Sequence, residues 1–183
     1  FAQVAEGLQH LHAQGIIHRD MKPENVLLTG DLCVKIADFG WCAKAQKVEG
    51  RTTFCGTLSM LAPEMIAGRP YDEGVDIWAI GVLLFEMLAG TSPFDRGGGI
   101  METCENIMVQ GLEGAPLEKV PAAVHPLLHG LLDQQASRRW PLPRALADSW
   151  VTGQRTARTS SGPGVHALAS PVAELPRAVN SEG

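Results

Sequence analysis

Val4, Leu8 and Leu11 recur at helical spacing near the start of the chain, with Gln3, Glu6 and Gln9 on other faces. Gly15 stands where such a helix would end. His10 and His12 fall near that end, where an imidazole reads as a solvated partner of the helix dipole rather than a metal ligand. The period then shortens. Val26-Leu27-Leu28 and Cys33-Val34-Lys35-Ile36 flank Thr29-Gly30-Asp31, which predicts two strands joined by a tight turn. Asp72-Glu73-Gly74-Val75-Asp76 is a polar helix start with acids in its first turn. Residues 77–89 follow, apolar on nearly every face, as in a buried central helix where Trp78 and Gly81 permit close packing. Residues 100–110, 122–133 and 142–150 predict further helices, separated by Gly and Pro. From Val151 onward Ser, Thr, Gly, Pro and Ala dominate, and no aromatic residue occurs. A stretch of that kind cannot bury enough apolar surface to offset its chain entropy, so 151–183 reads as a disordered tail behind one domain over 1–150.

Composition narrows the function. The formal charge of the 183 residues is −5, which argues against a nucleic-acid partner and suits a basic peptide. Cys33, Cys42, Cys55 and Cys104 are irregularly spaced and form neither a ligand pair nor a disulfide framework, which predicts a reducing compartment. The apolar run 77–89 is too short to span a bilayer and carries Glu86, so a soluble protein with no membrane partner is expected. The first residue is Phe1, inside a helical pattern, which predicts a piece of a longer protein. Gly97-Gly98-Gly99 has no strand before it and no Lys-Ser/Thr after it, and so reads as an inter-helix loop rather than a phosphate cradle.

The chemistry concentrates in residues 18–40. His18-Arg19-Asp20 leads through Lys22-Pro23-Glu24-Asn25 into the predicted hairpin, and Asp38-Phe39-Gly40 follows it. Folding the hairpin on itself brings the loop before it close to the loop after it. An amide oxygen and a carboxylate from opposite ends can then share a hard cation such as Mg²⁺. Asp20 remains free to orient a hydroxyl proton. Phosphoryl transfer needs that arrangement, being mostly positioning and charge neutralisation.

These motifs, followed by Ala62-Pro63-Glu64, resemble the catalytic loop, metal loop and activation-segment end of a eukaryotic protein kinase. Lys22 resembles the Ser/Thr branch. Trp41 after Asp-Phe-Gly, and Arg51-Thr52-Thr53-Phe54-Cys55-Gly56-Thr57, resemble the Aurora kinases. Ser59-Met60, Ala62 and Asp148-Ser149 depart from the pattern of that subfamily, which usually has Asp-Tyr, Pro and His-Pro there. The resemblance implies a kinase-like α+β fold, mainly α, and over 1–150 only its C-terminal lobe, with a small β-hairpin at the cleft. The activity it implies is transfer of the ATP γ-phosphoryl group to protein Ser or Thr with Mg²⁺.

The same resemblance assigns roles. Asp20 would be the base that positions the acceptor hydroxyl. Lys22 would neutralise the transferring group, and Asn25 and Asp38 would bind Mg²⁺ and hence ATP. Glu24 would touch the nucleotide ribose side or receive an arginine of the substrate. Thr53, then Thr52, would be phosphorylated, with Arg19 clamping the phosphate. Thr57 would shape the acceptor pocket. Asp76 would reach the backbone of the His18-Arg19-Asp20 loop, and Arg139 would pair with Glu64. Partners would be proteins with basic residues ahead of the acceptor, and a regulatory activator protein. Location would be cytoplasmic or nuclear, including spindle or centrosome. Two rival readings share the motifs, a non-catalytic kinase-like scaffold and a peptide-docking module. Asp20, Asn25 and Asp38 together favour the enzyme, because a scaffold has no chemical need for all three.

Overall fold

In the computed structural model, which describes residues 1–44 and 58–159, the chain opens with helix α1 (Ala2–Ala13). Val4, Ala5 and Leu8 are its buried face. Gly15, just past its end, has φ +69°, which glycine adopts without a Cβ clash. Strand β1 (Ile16–Ile17) leads into the motif-bearing loop, and strands β2 (Val26–Leu28) and β3 (Val34–Ile36) form the expected hairpin. Its connection is longer than the Thr29-Gly30-Asp31 turn read from sequence. Leu32 takes a left-handed backbone at φ 63°, and the Thr29 hydroxyl donates to Asp31 and to the Cys33 carbonyl, so side chains close the loop. Gln3 of α1 holds the hairpin, its Oε1 accepting from Val34 N at 2.6 Å.

A second ladder was not legible in sequence. Strand β4 (Ala43–Lys44), just past Asp38-Phe39-Gly40, pairs antiparallel with β1. Two residues on each side carry no pattern, and only the proximity created by the folded hairpin selects them.

Downstream the chain is helical. Helix α2 (Pro63–Ile66) begins at a proline whose fixed φ suits a first turn. Helix α3 (Gly74–Ala89) is buried from Gly74 through Phe85, as its uniform apolarity demands. Fully burying a side chain such as Phe85 contributes about 1.5–3 kcal/mol, so α3 is a fixed axis for its surroundings. Trp78 stacks on Phe94 with ring centroids 5.2 Å apart. A Cβ at Gly81 would lie 2.8–2.9 Å from Leu132 and Leu131 atoms, so only glycine admits the close approach of those two leucines.

Helix α4 (Gly99–Glu105) continues into a wider π-turn over Asn106–Gln110, together filling the predicted 100–110 span. Helix α5 (His125–Leu131) follows a 3₁₀ turn at Ala122–Val124. The helix expected over 142–150 is two: α6 (Leu142–Leu146) and α7 (Ser149–Thr159). Asp148 divides them, its carboxylate accepting from Trp150 N at 2.9 Å as an N-cap. Helix α7 also runs past Val151, where composition placed the start of disorder, and Val151 is buried in the core. No helix among the described residues is long and apolar enough to cross a membrane.

Candidate active site

The loop between β1 and β2 is held from below by α3. Asp76, fully buried, accepts from His18 N and Arg19 N at 2.8 Å each. Those contacts fix Arg19 at φ 69°, a conformation an L-residue adopts only when its surroundings impose it. His12 of α1 completes the carboxylate's shell at 2.8 Å, with its side chain only 11% exposed. The expected solvated imidazole is therefore a partner of the buried acid. The missed signal was spacing: Val4, Leu8 and His12 recur every fourth residue, on the face α1 buries.

Above Asp76, Asp20, Lys22 and Asn25 come together. Asp20 is buried, and its Oδ2 accepts from Lys22 Nζ at 2.7 Å and Asn25 Nδ2 at 3.0 Å. Asn25 Nδ2 also donates to the Asp20 carbonyl at 2.7 Å. Both acceptors are oxygens, so the amide nitrogen must face Asp20, and Asn25 Oδ1 points elsewhere. Hydrogen bonding to Asp20 holds the Lys22 ammonium above the ordinary lysine pKa, so it stays cationic.

The loop after β3 is tied to the same place. Ala37 N donates to the Asn25 carbonyl at 2.8 Å, and the His18 ring bonds the Ala37 carbonyl at 3.1 Å. With His18 Nε2 donating there, Nδ1 is left to accept from Asp20 N at 3.4 Å, which fixes the tautomer. Phe39 packs edge-on against His18 with centroids 5.5 Å apart. Asp38, exposed, takes φ 59°, and its Oδ1 accepts from Gly40 N at 3.2 Å. The residues fit a magnesium nucleotide by donor chemistry: hard oxygens on Asn25 and Asp38, joined through the Asn25–Ala37 bond. Among the described residues no three His, Cys, Asp or Glu side chains cluster as a metal cage. Mg²⁺ does not require one, since it takes one or two protein carboxylates and completes its shell with phosphate and water.

Arg19 reaches outward. Its Nε donates to the Trp41 carbonyl at 2.5 Å and its Nη1 to the Tyr71 hydroxyl at 3.4 Å. That sets the guanidinium between Trp41 and Tyr71. Thr52, Thr53 and Thr57 lie outside the described residues. Glu24 is exposed on the Pro23–Asn25 turn. Glu86, in the last turn of α3, has its carboxyl pushed up by burial and then by the negative charge of Glu24. An acid near the end of the apolar run 77–89 is the sequence signal for it.

Glu64 and Arg139 form a separate cluster at the base. Arg139 Nη1 and Nη2 donate to the two Glu64 oxygens at 2.6 and 2.7 Å. The same guanidinium donates to the Gly74 and Asp133 carbonyls and lies 5.0 Å over the Trp78 ring. Both Glu64 oxygens and each of the three guanidinium nitrogens of this buried pair are hydrogen-bonded, which helps to offset desolvation.

Comparison with known proteins places the whole arrangement. A family model described as "Protein kinase domain" matches residues 1–151. An Aurora kinase of Yarrowia lipolytica is 39% identical over 153 residues, covering 84% of this chain and 40% of that protein. Aurora kinase A-A of Xenopus laevis is 42% identical over 149 residues, covering 81% of this chain and 36% of its own length. Aurora kinase B of Danio rerio is also 42% identical over 149 residues, covering 81% and 45%. The chain thus spans less than half the length of these relatives.

Proposed function

The chain belongs to the protein kinase family, and we propose that it supplies the catalytic-loop half of a Ser/Thr kinase that phosphorylates proteins. One observation carries this reading. Asn25 binds Asp20 through its amide nitrogen and Ala37 through its carbonyl, so acid, amide and metal loop move as one unit. Mg²⁺ held by Asn25 and Asp38 would bring ATP and neutralise its phosphate charge. Asp20 orients the acceptor hydroxyl and takes its proton, while Lys22, already paired with Asp20, stands where negative charge grows. Exposed Leu27, Leu28, Leu32 and Phe39 border this cleft, a surface suited to the nucleotide-holding lobe that this reading requires.

Substrate choice follows from Glu24. Its carboxylate, exposed on the Pro23–Asn25 turn, favours an arginine ahead of the acceptor residue. Arg51 two residues before Thr53 has that form, so another copy of the enzyme is one expected substrate. A phosphate on Thr53 would add about two negative charges for Arg19 to clamp. By likeness to Aurora kinases, a regulatory activator and a spindle or centrosome location belong to the same reading.

The test uses a protein extended upstream to the length of the relatives. Asp20→Asn is expected to lower kcat about 10²–10⁴-fold while keeping ATP affinity. Asp38→Asn should abolish Mg²⁺-dependent turnover, and the 183-residue chain alone should show none. An Asp20→Asn enzyme that loses nucleotide affinity but keeps turnover would refute the assignment.

A further inference from the structure

Helix α4 and its π-turn present an apolar face that no described part of the chain covers. The opposite side is fixed: Thr103, Asn106 and Ile107 are buried. Asn106 Nδ2 donates to the Phe94 carbonyl at 2.8 Å, and Gln134 donates to the Ile107 carbonyl at 2.9 Å. The outward side carries Met101 at 81%, Val109 at 70% and Ile100 at 69% exposure. Met101, Glu105 and Val109 repeat every fourth residue, so they form one row, and Ile100 begins the adjacent row. Single exposed apolar side chains are ordinary; a ridge of them on one rigidly held helix marks a binding surface.

Charge and position select the occupant. Glu105 is exposed within the row, and the Glu102 carboxylate folds back over Gly98 at its start, so a segment lying along it gains from cations. Arg96 is engaged at the far end by Gln110 Oε1 and the Gly114 carbonyl. Helix α4 packs against the Leu58–Met60 turn, and residues 106–110 pack against α2. The ridge therefore adjoins the end of the segment that would present the acceptor residue.

We propose that this ridge docks the acceptor protein itself, through an amphipathic segment bearing Lys or Arg and distinct from the phosphorylated residue. This rests on the kinase reading and adds to it a second contact made outside the cleft. Large apolar side chains supply most of the affinity, and Glu105 sets the sign of charge that is accepted.

The probe is a labelled helical peptide of leucine and lysine at i, i+4 spacing, titrated into the full chain by fluorescence anisotropy. Met101→Ser combined with Val109→Ser should weaken binding about tenfold or more. Glu105→Gln should weaken it less, and by an amount that shrinks as salt rises. These positions lie on the surface, and unchanged melting curves verify that the variants fold. Equal binding by the double variant, or by a leucine–glutamate peptide, would overturn the proposal. Phosphorylation of a short acceptor peptide by the extended enzyme tests the kinase reading alone, so either can fail without the other.

Discussion

His12 Nε2 lies 2.8 Å from Asp76 Oδ2, joining the first helix of the chain to α3 beneath the His18-Arg19-Asp20 loop. The same oxygen accepts from His18 N, and its twin accepts from Arg19 N. Helix α1 and the loop soon after it thus both meet α3, distant in sequence, on one carboxylate. The left-handed backbone at Arg19, immediately before Asp20, is maintained from that point.

Asp76→Ala should leave two backbone donors and an imidazole without a partner in a dry site. At about 1–3 kcal/mol for each buried unsatisfied group, a loss of about 3–5 kcal/mol is expected. His12→Ala should cost about 1–2 kcal/mol, and His12→Gln, which keeps a donor at similar reach, should recover part of it. Urea unfolding of the three variants checks the order. Equal stability of Asp76→Ala and the parent would refute it.

The Glu64–Arg139 pair predicts a strongly coupled double-mutant cycle. Removing either side strands a buried charge and should cost about 3–5 kcal/mol. Removing both should cost far less than the sum. Arg139→Lys should behave almost as badly as Arg139→Ala, because an ammonium cannot reproduce the fork onto both Glu64 oxygens while reaching Gly74 and Asp133.

Glu86 gives a pH-dependent prediction. Its carboxyl is raised in the folded protein, by burial first and Glu24 second, so folding favours the protonated form. Its burden on stability is absent below the ordinary glutamate pKa and develops as pH rises through the raised folded value. Glu86→Gln should therefore melt higher than the parent at neutral pH, with the difference vanishing in mild acid. Calorimetric scans across that window decide it.

Cys42 should be the slow thiol. Burial, and secondarily the Asp76 charge, push it up to about 11, so almost none is thiolate at neutral pH. Alkylation of the native chain followed by peptide mapping should show Cys33 and Cys104 modified ahead of Cys42. Raising the pH toward that value should close the gap. Preferential labelling of Cys42 at neutral pH would contradict this.

Much of this protein was readable before folding because the governing interactions are local. The hairpin follows from two short apolar runs about a polar turn. Helix α3 follows from a run apolar on every face, and the family from motifs in sequence order. The boundary errors also have local causes that composition averages away. Asp148 caps a new helix within a predicted one, and Val151 is a single buried residue at the head of a polar stretch.

Tertiary structure alone decided which distant groups meet. Whether His12 faces water or Asp76 depends on where α1 crosses α3. Whether Glu86 is an ordinary acid or a raised one depends first on how far packing buries the end of α3, and second on where the Pro23–Asn25 turn lies. The β1–β4 ladder exists because the hairpin has already brought its strands together. Periodicity records which face of an element avoids water. It carries no information on which buried polar group a polar residue on that face will find, since that pairing is fixed by the packing of elements far apart in the chain.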